Sequence, residues 1–404
     1  MAIAVSFGLL LAGWGTVYAL AEATSSARAA APPRALKQVF TPVTVTPVGV
    51  RPQAVLGTDG RYHLIYELEL TNTKAVPATI QRVEVLDAGR VIGSYSGKSL
   101  LGRLRTLAPQ PAASLKIGPD VSRLLFIQLS FASRAAVPPV LMHRIRLLGA
   151  SNPGASRPTP LQYTVARVAI NRSSPPMLSP PLAGDGWVDL NGCCNAAIAH
   201  RGSFQSLNGG LFDAQRFAID YMRLNAQGQL VHGDPRVNTD YADYGAKVLA
   251  VANATVVAAF NDFPNQEPGA LPDPASFTTV ESVGGNGVIL ALGHGVYALY
   301  AHLIRGSVTV HAGQRVKRGQ VLGELGNSGN TTAPHLHFQL MNAPADLASE
   351  GLPYVIDGYN VVAHLDRDPA KANSISGVWA HEPLGEGTVQ SGRFPLNLDI
   401  IDFR

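Results

Sequence analysis

The chain has 404 residues, room for two or three domains with cores of their own. Charged residues make up only 15%, against 40 glycines and 29 prolines, a balance that predicts many short strands and turns and few long helices. A net charge of +4 without Lys/Arg runs interleaved with aromatics excludes a nucleic-acid partner and suits contact with an anionic wall or membrane surface.

Residues 2–21 (AIAVSFGLLLAGWGTVYALA) carry no charge, are mostly apolar and end in Ala-Leu-Ala. Residues 1–21 therefore read as a secretory signal peptide or, since twenty residues can span a bilayer, as a membrane anchor. Either places the body of the protein outside the cytoplasm, in a periplasm, a cell envelope or the medium. Residues 22–37, rich in Ala, Ser and Pro, read as a tether. Alternation follows. Tyr62, Leu64, Tyr66, Leu68 and Leu70 share one face with Glu67 and Glu69 on the other, and Leu125, Ile127, Leu129 and Phe131 repeat the pattern. His143, Ile145 and Leu147 against Arg144 and Arg146 repeat it again. Short strands punctuated by turns predict an immunoglobulin-like β-sandwich over residues 38–172, as a spacer or packing partner, with a binding role as the alternative. His63 and His143 inside it have no ligand-like neighbours and read as structural.

Residues 173–185 open with SSPPMLSPP and form a proline-rich linker. A second β-rich domain is expected over 186–365, with strands near 187–190, 247–259, 288–292, 296–302, 307–310, 321–324 and 335–341 and a tail over 366–404. Gly293-His294-Gly295 suits a tight hairpin turn. Residues 261–285 are long and aperiodic, the mark of a lid, a binding loop or a disordered insertion. Cys193 and Cys194 are adjacent; ordinary disulfide geometry needs Cα atoms further apart than one peptide allows, so no disulfide is expected.

The chemistry gathers in this second domain. Residues 327–340, NSGNTTAPHLHFQL, leave a turn and continue as a strand, on which His335 and His337 share a face while Leu336 and Phe338 turn to the core. Imidazole is the commonest transition-metal ligand and a general base near neutral pH. Upstream, Ala298, Tyr300 and His302 alternate to one face, which would bring His302 into the same groove. Phe217 to Asp220 and His200 lie further upstream.

With Tyr300-Ala301-His302-Leu303, the glycine-spaced Val310, Gly313, Val316, Gly319, Val321 and Gly323, the run Gly326-Asn327-Ser328-Gly329-Asn330, and Pro334-His335-Leu336-His337-Phe338, the second domain resembles the M23 family of lysostaphin/LytM-type zinc endopeptidases. The resemblance implies a mostly β chain: a sandwich followed by an antiparallel-sheet metallopeptidase that cleaves peptidoglycan stem or bridge peptides with zinc-polarised water. It implies Zn²⁺ held by Asp220 and His337, with His302 and His335 flanking the metal as catalytic residues. One departure stands out. The family's His-x-x-x-Asp motif would put a histidine four before Asp220, where this chain has Arg216. His200 is the replacement candidate, with residues 201–215 as an inserted hairpin; Cys193 and Cys194 are rival donors. The departure also keeps open a catalytically inactive relative that binds cell wall or activates a partner hydrolase.

Overall fold

The computed structural model describes residues 38–404 except 109, 270, 366–376 and 380. The signal or anchor segment and the tether lie outside the described residues.

Seven longer strands build the N-terminal part: β1 (Val43–Val48), β2 (Tyr62–Asn72), β3 (Ala78–Asp87), β4 (Arg90–Ser96), β5 (Ser122–Phe131), β6 (Val140–Gly149) and β7 (Thr159–Ala169). One sheet runs β1-β2-β5 and the other β7-β6-β3-β4, each finished by short strands, with antiparallel pairing throughout. Alternation decides which side chains face inward. Leu64, Tyr66, Leu68 and Leu70 of β2 meet Ile80, Val83 and Val85 of β3 and Ile145 and Leu147 of β6 in one core. Each such aliphatic side chain, taken fully out of water, contributes about 1.5–3 kcal/mol. His143 is buried here between the Tyr66 hydroxyl and the Ala166 carbonyl, a structural role.

The opposite face of β2 is not solvated, as a Glu-bearing face would suggest. Ile65 joins the core of the C-terminal part, and Glu67 is fully buried. Residues 177–178 pair with a C-terminal strand, and Leu178 and Leu182 are buried, so the proline-rich segment lies against the sheet that follows it.

That sheet has twelve strands. Its main members are β8 (Gly184–Leu190), β9 (Ile219–Arg223), β10 (Ala254–Phe260), β11 (Asn286–Gly293), β12 (Val296–Leu303), β13 (Leu336–Met341), β14 (Val355–His364), β15 (Glu382–Arg393) and β16 (Asp399–Phe403). The order is β14-β16-β8-β9-β13-β12-β11-β10, with β15 on the β14 edge side. Leu336, Phe338 and Leu340 of β13 and Ala298 and Tyr300 of β12 supply the core behind it. His294 sits at an exposed hairpin tip with φ +53°.

Residues 307–310 form no strand, and two further expectations fail. Residues 382–403 are not tail: β16 lies between β14 and β8 and pairs with both. Such pairing joins segments far apart in sequence and leaves no local signature beyond a short apolar run. Second, Cys193 and Cys194 are joined to each other as a disulfide, and the peptide between them is cis. The expectation assumed the trans Cα spacing.

Candidate metal centre

Asp220 lies on β9, directly opposite His337 on β13, and His337 lies opposite Ala301 on β12. Three neighbouring strands thus present one face. His335, just before β13, lies on that face too: its Nε2 is 3.3 Å from Asp220 Oδ1. Leu336 and Phe338 turn into the core.

His302 arrives by a different route from simple alternation. Ala298 and Tyr300 face the core, so strict alternation would send His302 there as well. Between Asn286 and Val288 of β11 the register shifts, with Ala301 and His302 opposing the single Gly287, and His302 takes φ +66°. A bulge with a left-handed residue reverses the side chain, a costly backbone for a non-glycine residue and a recurrent device beside active sites. The ring then lies 4.7 Å from that of His335 and 5.9 Å from that of His337.

His200 begins a single 3-10 turn, His200–Gly202, after the disulfide loop. Its ring is 4.8 Å from that of His337. The hairpin between it and Asp220 is present as Gln205–Leu207 against Gly210–Phe212. Arg216 turns away from the centre. Its Nε donates to Glu67 and its Nη1 to Glu350, at 2.9 and 2.7 Å.

Protons define what the centre can hold. The Ala218 carbonyl accepts from His200 Nδ1 at 3.1 Å, so His200 Nε2 offers a lone pair, 3.1 Å from Asp220 Oδ2. Gln339 donates its Nε2 to the Asp346 carbonyl, which turns its Oε1 to accept from His337 Nε2 at 2.8 Å. His337 Nδ1 therefore offers a lone pair as well, 3.0 Å from Asp220 Oδ1. Two lone pairs and a carboxylate converge, all within 4.8 Å of one another and all buried. Asn191 gives Asp220 one donor, at 2.8 Å. Acceptors in this arrangement repel unless a cation or extra protons lie among them. Two imidazoles and one carboxylate make a donor set that could hold a metal ion.

Burial pushes the Asp220 carboxyl up, but the His200 and His335 imidazoles outweigh it and hold it well below the ordinary carboxylate range. Burial, with help from His335 and His337, pushes His302 well below the ordinary imidazole value. Burial also opposes charge on His335, but Asp220 overrides it and raises that ring. His302 Nδ1 donates to the Ser328 carbonyl at 2.7 Å and His335 Nδ1 to the Ala333 carbonyl at 2.9 Å. With Nδ1 so engaged, each ring when neutral carries its lone pair on Nε2.

The run 326–330 holds the rim. A Cβ on Gly326 would meet Ile304 N at 2.5 Å, and Gly329 takes φ +83° with Val283 O as close. That close approach ties the turn to the 261–285 loop, whose Val283 and Gly284 line a small cavity with Ala301, His302, His337 and Asp346. The cysteines contribute no ligand atom to the cluster of His200, Asp220 and His337. Sequence reading missed Asn191 and Gln339. Gln339 carried a signal, since it continues the alternation of His335 and His337 along β13; Asn191 carried none.

Residues 239–348 match the model of Peptidase family M23, a match that begins after Asp220 and includes His302, His335 and His337. The chain is 34% identical over 124 residues to the glycyl-glycine endopeptidase ALE-1 of Staphylococcus capitis, covering 29% of this chain and 32% of that protein. It is 42% identical over 57 residues to the peptidoglycan DD-endopeptidase ShyA of Vibrio cholerae, covering 14% of this chain and 13% of that protein. The chain thus spans a third or less of the length of these curated relatives. The lysostaphin catalytic domain of Staphylococcus simulans aligns with 25% identity over 36% of this chain and 80% of that one, with a TM-score of 0.22. The strand-borne histidines and the matched segment coincide: residues 239–348, which carry His302, His335 and His337, are similar to Peptidase family M23.

Proposed function

We propose that the chain is a zinc-dependent endopeptidase acting outside the cytoplasm on the stem or bridge peptides of peptidoglycan. The observation that carries this reading is the convergence of His200 Nε2, Asp220 and His337 Nδ1 with no intrinsic cation among them. His200, Asp220 and His337 would hold Zn²⁺. When bound, zinc supplies Lewis acidity that acidifies water and polarises the scissile carbonyl.

The chain's own residues do the rest. His302 and His335 each present Nε2, so one takes the proton from water while the other, once protonated, donates to the developing oxyanion. Gln339 fixes the proton on His337 Nε2 and keeps Nδ1 available as a ligand. The 261–285 loop, at the rim, borders the substrate groove. In this reading residues 38–172 form one domain and the sheet that runs from 184 to 403 the other, linked through 173–183, and 1–21 exports or anchors them. The choice of substrate rests on the names of the relatives, a glycyl-glycine endopeptidase and a peptidoglycan DD-endopeptidase.

Metal analysis of the purified protein, followed by digestion of peptidoglycan and identification of the new termini, tests it. Zinc at about one per chain and new peptide termini are expected. In His302→Ala and His335→Ala zinc should remain while the rate falls about a hundredfold or more. Zinc without any cleavage would favour an inactive wall-binding relative.

A further inference from the structure

We infer that the N-terminal sandwich is a working part of the metal centre: it holds the loop that carries His200, with Glu67 and Arg201 as positioning residues. The inference rests on His200 being a ligand.

His200 sits in a stretch, residues 191–204, whose only regular structure is one 3-10 turn. A short irregular loop does not fix a ligand by itself; its position comes from what it leans on. On one side His200 donates to Ala218. On the other, Arg201 leaves the turn toward the sandwich and is 1% exposed. Its Nε donates to Glu67 of β2 at 3.2 Å and its Nη2 to the Ile127 carbonyl of β5 at 2.6 Å. Its Nη1 closes back on the Cys194 carbonyl of the same loop at 2.7 Å. From the sandwich, Arg105 Nη2 donates to the Ala196 carbonyl at 3.0 Å.

Packing follows the same line. Leu124 and Phe126 of β5 form a buried cluster with Ala196 and Phe204, one residue on each side of His200. The guanidinium of Arg201 lies 5.3 Å from the Phe126 ring centre. Glu67 does a second thing. It accepts from Arg216 Nε as well as from Arg201 Nε, so one carboxylate of the sandwich draws the guanidinium at the family's vacated histidine position away from the centre. A spacer domain would need none of these contacts. Partners that orient a metal-ligating residue typically change metal affinity about 10–100-fold when removed.

The test measures zinc affinity of the full chain by competition with a chromogenic chelator, alongside unfolding of the metal-free protein. Glu67→Gln should weaken zinc about 10–100-fold and Arg201→Lys, which keeps the charge and loses the fork, about tenfold. Glu84→Gln is the control: a buried sandwich carboxylate paired with Arg144 at 2.9 Å on the other sheet, it should leave zinc affinity unchanged whatever it does to stability. Wild-type affinity in Glu67→Gln, or equal weakening in Glu84→Gln, overturns the inference. Should Glu67→Gln not fold, Arg201→Lys decides by the same criterion. His200→Ala, measured beside them, separates the two claims. If it keeps zinc, the ligand assignment falls and the inference with it; if it loses zinc while Glu67→Gln does not, only the role of the sandwich falls.

Discussion

Two buried polar clusters lie on either side of the His200 loop, and they are opposites. Around Asp220 stand His200, His302, His335 and His337, with no arginine or lysine ion-paired to it among the described residues. Around Glu67 stand Arg201 and Arg216, with Asp213 and Glu350 completing the set. The second cluster sets its own two guanidiniums against Glu67 and Glu350, while burial pushes the third carboxyl, Asp213, well above its ordinary range toward the neutral form. The first has more acceptors than protons. Burial makes that difference costly, since an uncompensated charge in the interior is worth several kcal/mol. The comparison locates the place for an external cation: at the histidines, and not at the larger collection of carboxylates next door.

The sharpest way to break the comparison is to remove a ligand. His337→Ala and His200→Ala should each lose zinc and peptidase activity together, from about one metal per chain to near none, by elemental analysis. Full zinc in either variant would remove that residue from the ligand set. Next in size, Arg216→Met should destabilise the metal-free protein by about 3–5 kcal/mol in urea unfolding, because Glu67 and Glu350 lose a shared cation. A change below about 0.5 kcal/mol would mean that the second cluster is not internally compensated as described.

Gln339→Leu removes the acceptor that fixes His337, and zinc should bind about 10–100-fold more weakly with the protein still folded. The smallest effect is expected at the disulfide. Cys193→Ser and Cys194→Ser should keep full zinc, because neither sulfur belongs to the ligand cluster. Zinc loss in either would bring back the thiolate alternative.

Local pattern carried much of this. The alternation of β2, β5 and β6 foretold the two-sheet packing, and the His-x-His strand with an upstream aspartate foretold which side chains would meet. His302 reached the face it was assigned, but through a bulge opposite Gly287 that no alternation rule can show. Glu67 looked like an ordinary outward residue of an amphipathic strand; that its face would be covered depends on a partner more than a hundred residues away. The same holds for β16, whose few apolar residues say nothing about the gap they fill. What a strand pairs with is set by the whole chain, and single sequences report chiefly the period of each piece.

The placement of β16 has a consequence for how the molecule comes into being. This strand lies between β14 and β8, and β8 in turn lies beside β9, which bears Asp220. A nascent chain that has emerged through His337 already contains every proposed ligand, yet the gap next to β8 stays open until residue 403 has followed. Non-local pairing of this kind is slow, and the unfilled edges are exposed in the meantime. Synthesis therefore delivers the chain in an immature form, with the sheet that supports Asp220 closed only after the segments bearing the proposed ligands have all been made.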